Sequence, residues 1–200
     1  MTSKKVLPPS CYLRPMAMED ISQVAAIERE VFPTNWSWTN YSRELQNPQI
    51  QYLVCAVGDS DALFTAPDQP LTVWDRIRRR FSRDRAKTSH TVETIIGFVG
   101  VWFMGGEAHI TAIAVKESYR GLGLGDLLML GTVELTIHRE HQVVSLEVRV
   151  SNVLAQSLYA KYGFFQTRVR KGYYSDNRDD AYAMSTEEVN SPAYQSLLEK

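Results

Sequence analysis

Hydrophobic positions along the chain switch between a period of two and a period near 3.6, and the switches mark the elements. CYLRPM (11–16) reads as a first strand. In DISQVAAIEREVF, Ile21, Val24, Ile27 and Val31 fall at helical spacing. FPTNWSWTN breaks that helix, WTNYSREL forms a short second one, and QYLVCAV (51–57) returns to a strand. From Gly58 to Thr91 the pattern dissolves into Asp, Ser, Pro, Thr and Arg, a long stretch for a connection. The second half is more regular. TIIGFVGVWFM (94–104) and HITAIAV (109–115) read as strands joined by GGE as a hairpin turn. A helix follows from about Gly123 to Arg139, and VVSLEVRV (143–150) is the next strand. SNVLAQSLYAKYG is a helix with a Ser/Asn start, an apolar stripe of Leu154, Ala155, Leu158 and Tyr162, and a stop at Gly163. FFQTRVRKGYY and AYAMSTE close as two more strands. Strand, helix and strand across 109–150 imply a parallel pair with a crossover helix, and hence an α/β chain.

The chain's 200 residues, 44 % of them hydrophobic, suit one domain with a sizeable core, set at 11–187 with an insertion at about 58–92. Residues 1–10 are expected to be disordered and 188–200 to be a tail. The net charge of −1 demands neither nucleic acid nor membrane. It hides an asymmetry: DRIRRRFSRDRAK (75–87) carries seven basic residues against two acidic ones, a local +5 that leaves −6 on the rest. Leu71, Trp74, Ile77 and Phe81 there lie at helical spacing, with Arg76, Arg78, Arg79, Arg80, Arg83 and Arg85 around them. Such a helix could lay its apolar edge on the domain and solvate its arginines. Alternatively it docks on ribosomal RNA or an anionic membrane surface. Cys11 and Cys55 are too few for a disulfide framework, which points to a reduced, cytoplasmic setting. No apolar run approaches the roughly 20 residues of a membrane span. The opening MTSKKVLPPS is no secretory signal.

Chemistry concentrates in IAVKESYRGLGLGDLLML (113–130), where Gly121, Gly123 and Gly125 stand just before the helix. A Walker loop needs G-K-[ST], and Asp126 follows Gly125; the dinucleotide fingerprint would need glycine at 126. That fingerprint also turns straight out of its strand, whereas KESYR intervenes here. Glu147, 22 residues past Gly125, stands near the position of a ribose-binding acid but inside a strand. Arg120-x-x-Gly123-x-Gly125 after a strand and opening a helix suits a pyrophosphate, held by unpaired N–H groups and the positive helix end. A bare glycine turn is the bland alternative.

HITAIAVKESYRGLGLGDLL, LEVRVSNVLAQSLYAKYGF and KGYYSDNRDDAYAM together resemble the GNAT superfamily of acyl-CoA N-acyltransferases. Within it the chain looks most like the protein N-terminal acetyltransferases of the ribosomal-protein-alanine type and their archaeal and eukaryotic relatives. The resemblance is dense over 93–184, thinner over 12–57 and absent across roughly 58–91. It implies a mixed, mostly antiparallel sheet with a splayed central parallel pair and helices on both faces. It implies acetyl-CoA as co-substrate, without a metal, held by Ile113, Ala114, Val115, Arg120, Gly121, Leu122, Gly123, Leu124, Gly125 and Asn152. Asn152 could equally cap the next helix. Strand parity sets His109 on the face of Ile113.

By the same resemblance Glu147 is the general base, His109 assists it, and Tyr159 protonates the departing thiolate. Glu147 could instead pair with an arginine such as Arg149, His109 could be structural, and Tyr162 reads as core. Phe32 and Pro33 match the wall of the acceptor site, and Tyr173 and Tyr174 match a pair that closes over the acceptor. The implied acceptor is a protein N-terminus. Lysine or small-amine transfer on the same fold and a non-enzymatic acyl-CoA-binding adaptor are the competing readings. His138 and His141 lie one helical turn apart without a carboxylate–histidine set, so no metal is expected.

Overall fold

The computed structural model describes residues 11–32, 38–58 and 93–199. Strand β1 (Cys11–Pro15) leads through a short 3-10 turn to α1 (Ile21–Val31), followed by α2 (Tyr41–Glu44) and β2 (Ile50–Val57). Next come β3 (Thr94–Met104), β4 (Glu107–Val115), α3 (Leu124–His138) and β5 (Val143–Arg149). The chain closes with α4 (Val153–Lys161), β6 (Phe165–Arg170), β7 (Ala181–Ser185) and α5 (Pro192–Leu198). The described strands form one seven-stranded sheet in the order β1-β2-β3-β4-β5-β7-β6, in which β4 and β5 run parallel and the other neighbours antiparallel. The hairpin between β3 and β4 turns on two residues rather than three: Gly105 and Gly106 have φ of +58° and +85°, which a primed two-residue turn requires.

Two cores cover the two faces. One gathers α3, Tyr159 of α4 and the buried faces of β4 and β5; the other packs Val24, Ile27 and Tyr41 of α1 and α2 against the opposite face. The segment at 188–200, expected as a tail, carries α5, and Val189, Tyr194 and Leu198 are buried in the first core. The Tyr194 hydroxyl donates to the Tyr162 carbonyl at 2.8 Å. Leu154, expected in the core, is 87 % exposed. Leu158, one turn later in α4, is the residue that meets Gly125 at the start of α3. Residues 59–92 and 33–37 lie outside the described residues, and with them the basic stretch at 75–87 and Pro33.

One irregularity decides where side chains point. Gly100 pairs with Ala112 and Val101 with Ile110, so Thr111 is an extra residue in β4, a β-bulge. A Cβ on Gly100 would come within 2.5 Å of the Tyr52 ring and 2.9 Å of Thr111 Oγ1. Only glycine lets the bulge and that ring share the space. Before the bulge Ala108 and Ile110 face the α3 core; after it Ile113 and Val115 do. Ala112 and Ala114 pack with the α1 core. The period of two slips by one at Thr111.

Candidate active site

β4 and β5 pair only from Glu107 with Val143 to Ile110 with Leu146. Beyond that point β4 stays on β3 through Val115, and β5 stays on β7 through Arg149, so a gap opens between them. The Lys116 amide donates to Ile96 O at 2.9 Å, which fixes the alternation along β4. Ala112 and Ala114 therefore turn their polar backbone groups to β3, while Ile113 and Val115 present theirs to the gap. Of the three residues expected beside a thioester, Ile113 and Val115 offer a backbone edge; Ala114 belongs to the ladder. Arg120 hangs at that edge, its Nε donating to Val115 O at 3.3 Å.

The glycine run divides into separate tasks. Gly121 and Gly123 have φ of +77° and +81°, a region that side chains with a Cβ seldom adopt. Gly123 is the N-cap of α3 and has no side chain to cap with. Leu127 is the first residue to donate back, to Gly123 O at 3.1 Å, so the amides of Leu124, Gly125 and Asp126 precede the helical ladder. Among the described residues, and apart from its chain neighbours, nothing lies within 4 Å of where a Cβ on Gly121 would stand. The Asp126 carboxylate, which could have closed on those amides, turns to α4 and accepts from the Tyr162 hydroxyl at 2.9 Å and from Lys161. An uncapped helix start beside an open cradle fits an anion of the pyrophosphate class. Gly125 serves packing: a Cβ there would come within 2.9 Å of Leu158 Cδ2. Leu124 is buried, Leu122 is half-buried, and Asn152 caps α4, its Oδ1 accepting from the Ala155 amide at 3.2 Å.

On the α1 side of the gap the bulge corrects the expected placement of His109. Its ring does not share a face with Ile113; it lies on the opposite face, beside Glu147. His109 Nε2 is 3.1 Å from Glu147 Oε2, and Arg170 Nη1 donates to Glu147 Oε1 at 2.7 Å. The hydrogen bond from His109 holds the Glu147 carboxyl below the usual carboxylate range, burial opposes this, and the charges of His109, Arg170 and Arg168 reinforce it. Glu147 is therefore an ionised acceptor at neutral pH. Arg149, the partner considered from sequence, donates to Asp176 at 2.7 Å and stacks 3.8 Å over the Tyr174 ring.

Tyr173 and Tyr174 stand edge to face at 5.2 Å, with Arg170 lying 5.0 Å over Tyr173. Burial pushes the Tyr174 phenol up to about 12 and also raises Tyr173, where the Glu147 charge adds to it. Tyr159 is buried with its ring 5.8 Å from Phe164; burial first, and Tyr174 second, push its phenol far up, so it remains a proton donor. Tyr162 is core, as its position before Gly163 suggests. Phe32 packs half-buried against the α1 core. His138 is exposed, and His141 meets the Phe103 ring edge-on with centres 5.0 Å apart. Among the described residues no group of three His, Cys, Asp or Glu side chains could hold a metal ion.

The sequence reasoning missed Arg170, Ser145 and Glu107. Ser145 was accessible, because it precedes Glu147 by two in a regular strand and so shares its face. Arg170 and Glu107 depend on strand pairing, which the local pattern does not show.

Residues 23–164 match the model of the Acetyltransferase (GNAT) family. A Bacillus subtilis protein provisionally named a ribosomal protein bS18-alanine N-acetyltransferase is 35 % identical over 173 residues, covering 86 % of this chain and 92 % of its own. An N-alpha-acetyltransferase of Saccharolobus solfataricus is 29 % identical over 174 residues, covering 86 % and 90 %. The crystal structure of the Escherichia coli ribosomal-protein-S18-alanine N-acetyltransferase superposes with a TM-score of 0.64 at 21 % identity, over 89 % of this chain and 94 % of that one. The parted parallel strands, the bare helix start and the sequence match agree: the chain belongs to the GNAT family of acetyltransferases.

Proposed function

We propose that this acetyltransferase moves the acetyl group of acetyl-CoA onto the α-amino group of a polypeptide N-terminus, a ribosomal protein beginning with alanine being the first candidate. The observation that carries the reading is Glu147, ionised and bonded to His109, at the mouth of the gap and under the Tyr173–Tyr174 pair. The amides opening α3, with Arg120 and Asn152 beside them, would hold the pyrophosphate and pantetheine. Ile113 N–H is the donor for the thioester oxygen that gains charge during attack. The co-substrate supplies an acetyl thioester whose thiolate departs. Glu147 takes the proton that the attacking amine loses, and Tyr159 donates one toward the sulfur. An α-amine titrates near 7.7–8.0 and lysine near 10.4. A carboxylate held low in pKa is a modest base, suited to the first.

Two peptides offered with acetyl-CoA test this: one with a free N-terminal alanine and no lysine, one N-terminally blocked with an internal lysine. Mass spectrometry should find acetyl on the first. Transfer to lysine alone overturns the α-amine reading, and transfer to neither supports the adaptor. We place the reaction in the cytoplasm; among the described residues no helix is long and apolar enough to cross a membrane. The charge of residues 75–87 suits contact with ribosomal RNA or an anionic surface. Replacing residues 60–90 by a Gly/Ser linker should then weaken salt-sensitive ribosome or vesicle association and spare peptide transfer. Unchanged association refutes that docking.

A further inference from the structure

We propose that Arg170 is a positioning residue for the reaction: its guanidinium holds the Glu147 carboxylate by one oxygen and carries the Tyr173 ring, and so fixes the base against the wall that closes over the acceptor. For its kinetic consequence this rests on the acetyl-transfer reading above; the contacts stand without it.

The strand registers explain why an arginine stands there. Glu147 on β5 pairs with Ala183 on β7, and Ala183 pairs with Arg168 on β6. The next row on the same face is Arg149, Ala181 and Arg170. β6 is the edge strand and lies two strand spacings from β5, roughly 10 Å. Few side chains cover that distance. In both rows the middle strand carries alanine, so nothing longer than a methyl group rises from β7 between the edge and β5. Arg170 reaches across on the diagonal, and its Nη1 donates to Glu147 Oε1 at 2.7 Å.

A guanidinium donates hydrogen bonds in its plane and meets an aromatic ring through its face, so one group can serve both contacts. The Arg170 guanidinium lies 5.0 Å over the Tyr173 ring, and Tyr173 meets Tyr174 edge to face. Arg149, in the same row, lies over Tyr174. The tyrosine pair thus rests on two arginines of one row, and of these two Arg170 also touches the base. On its other oxygen Glu147 meets His109, with Oε2 3.1 Å from Nε2. His109 is backed in turn by Ser145 Oγ, 2.8 Å from Nδ1. Held at both oxygens, the carboxylate keeps one plane, and its remaining lone pairs keep one direction. Without Arg170 the carboxylate would be free to turn about its last torsion, and Tyr173 would lose the group that ties it to Glu147. The charged and titratable groups facing Glu147 are His109 from β4, Arg168 and Arg170 from β6, and Tyr173 and Tyr174 from the β6–β7 connection. The His109 hydrogen bond does most to hold the Glu147 carboxyl low, and the Arg170 charge adds to it. Removing that charge therefore moves the Glu147 titration to higher pH.

The test uses the full chain carrying 13C-labelled glutamate carboxyls, with Glu147→Gln assigning the resonance. Arg170→Met keeps an apolar stem and loses the fork, the face and the charge. Its Glu147 titration should move up in pH. In acetyl transfer to a peptide with a free N-terminal alanine, its kcat at pH 7 should fall ~10-fold or more, as a misplaced base requires. KM for the peptide should rise several-fold, with KM for acetyl-CoA unchanged. Arg170→Lys returns the charge without the planar face. It should restore the titration and most of kcat, and leave the peptide KM raised. An Arg170→Met enzyme with wild-type titration, kcat and KM overturns the proposal. So does one whose KM for acetyl-CoA rises as much as that for the peptide, because Arg170 would then only support the fold. If wild type acetylates no N-terminal peptide, the acetyl-transfer reading falls, and the titration alone decides whether Arg170 holds Glu147.

Discussion

Replacing Glu147 by glutamine keeps the shape of the side chain and removes the charge proposed to accept the proton. The ion pair with Arg170 is lost, but that guanidinium is 39 % exposed, so the change in stability should stay within ~1 kcal/mol. Thermal melting should move by no more than about 2–4 °C for a chain of this size. The kinetic effect should be far larger, because general acid–base help is worth ~10²–10⁴-fold. Its pH dependence follows from the acceptor. With an amine pKa of about 7.7–8.0, roughly a tenth to a sixth is already neutral at pH 7, and over nine tenths at pH 9. Without its base the enzyme can use only that neutral fraction. In Glu147→Gln, kcat/KM for the peptide should therefore rise roughly six- to tenfold from pH 7 to pH 9. A lysine acceptor near 10.4 would give a rise of roughly 100-fold over the same interval, so the slope identifies the amine. Wild type should climb less steeply, because Glu147 is ionised throughout that range. Steady-state transfer at saturating acetyl-CoA measures all of this. A folded Glu147→Gln enzyme within threefold of wild type at pH 7 would refute the assignment of Glu147 as base.

Gly121→Ala places a methyl group where, among the described residues, nothing but its chain neighbours lies within 4 Å, at a φ of +77°. Its backbone strain of about 1–2 kcal/mol should appear in thermal melting, and any further loss should appear in calorimetry as weaker acetyl-CoA binding. Unchanged affinity would remove the pyrophosphate from that cradle. Tyr159→Phe keeps the ring against Phe164, so acetyl-CoA affinity should hold within about twofold while kcat falls ~10²-fold. Full turnover in that variant would exclude Tyr159 as the proton donor. Arg149→Lys loses both the stack on Tyr174 and the fork to Asp176 and Asn177. KM for the peptide should rise several-fold with little change in kcat; an unchanged KM would mean that the tyrosine pair does not wall the acceptor.

What the sequence revealed and what it concealed differ by the range of the forces involved. Local period sufficed for the strands, the crossover helix and the lone acid in VVSLEVRV, because each follows from which side of one element is buried. It failed where a second element decides. Leu154 carries the right spacing for a core stripe, yet it is exposed, and Leu158 one turn on is the residue that meets α3. The last dozen residues look like a tail until Tyr194 finds the Tyr162 carbonyl. The largest failure is also the most instructive. Strand parity placed His109 with Ile113, and the inserted Thr111 between them cancels that inference. The bulge is invisible in HITAIAV, since its cause lies in Gly100 and the Tyr52 ring on the neighbouring strands. Without the slip, His109 and Ile113 would share one face of the sheet. With it, Ile113 keeps its side chain in the α3 core and its amide on the gap, while His109 turns to Glu147 on the other face. One extra residue in β4 thus separates the edge suited to a thioester from the pair suited to an amine's proton, on opposite sides of the same opening.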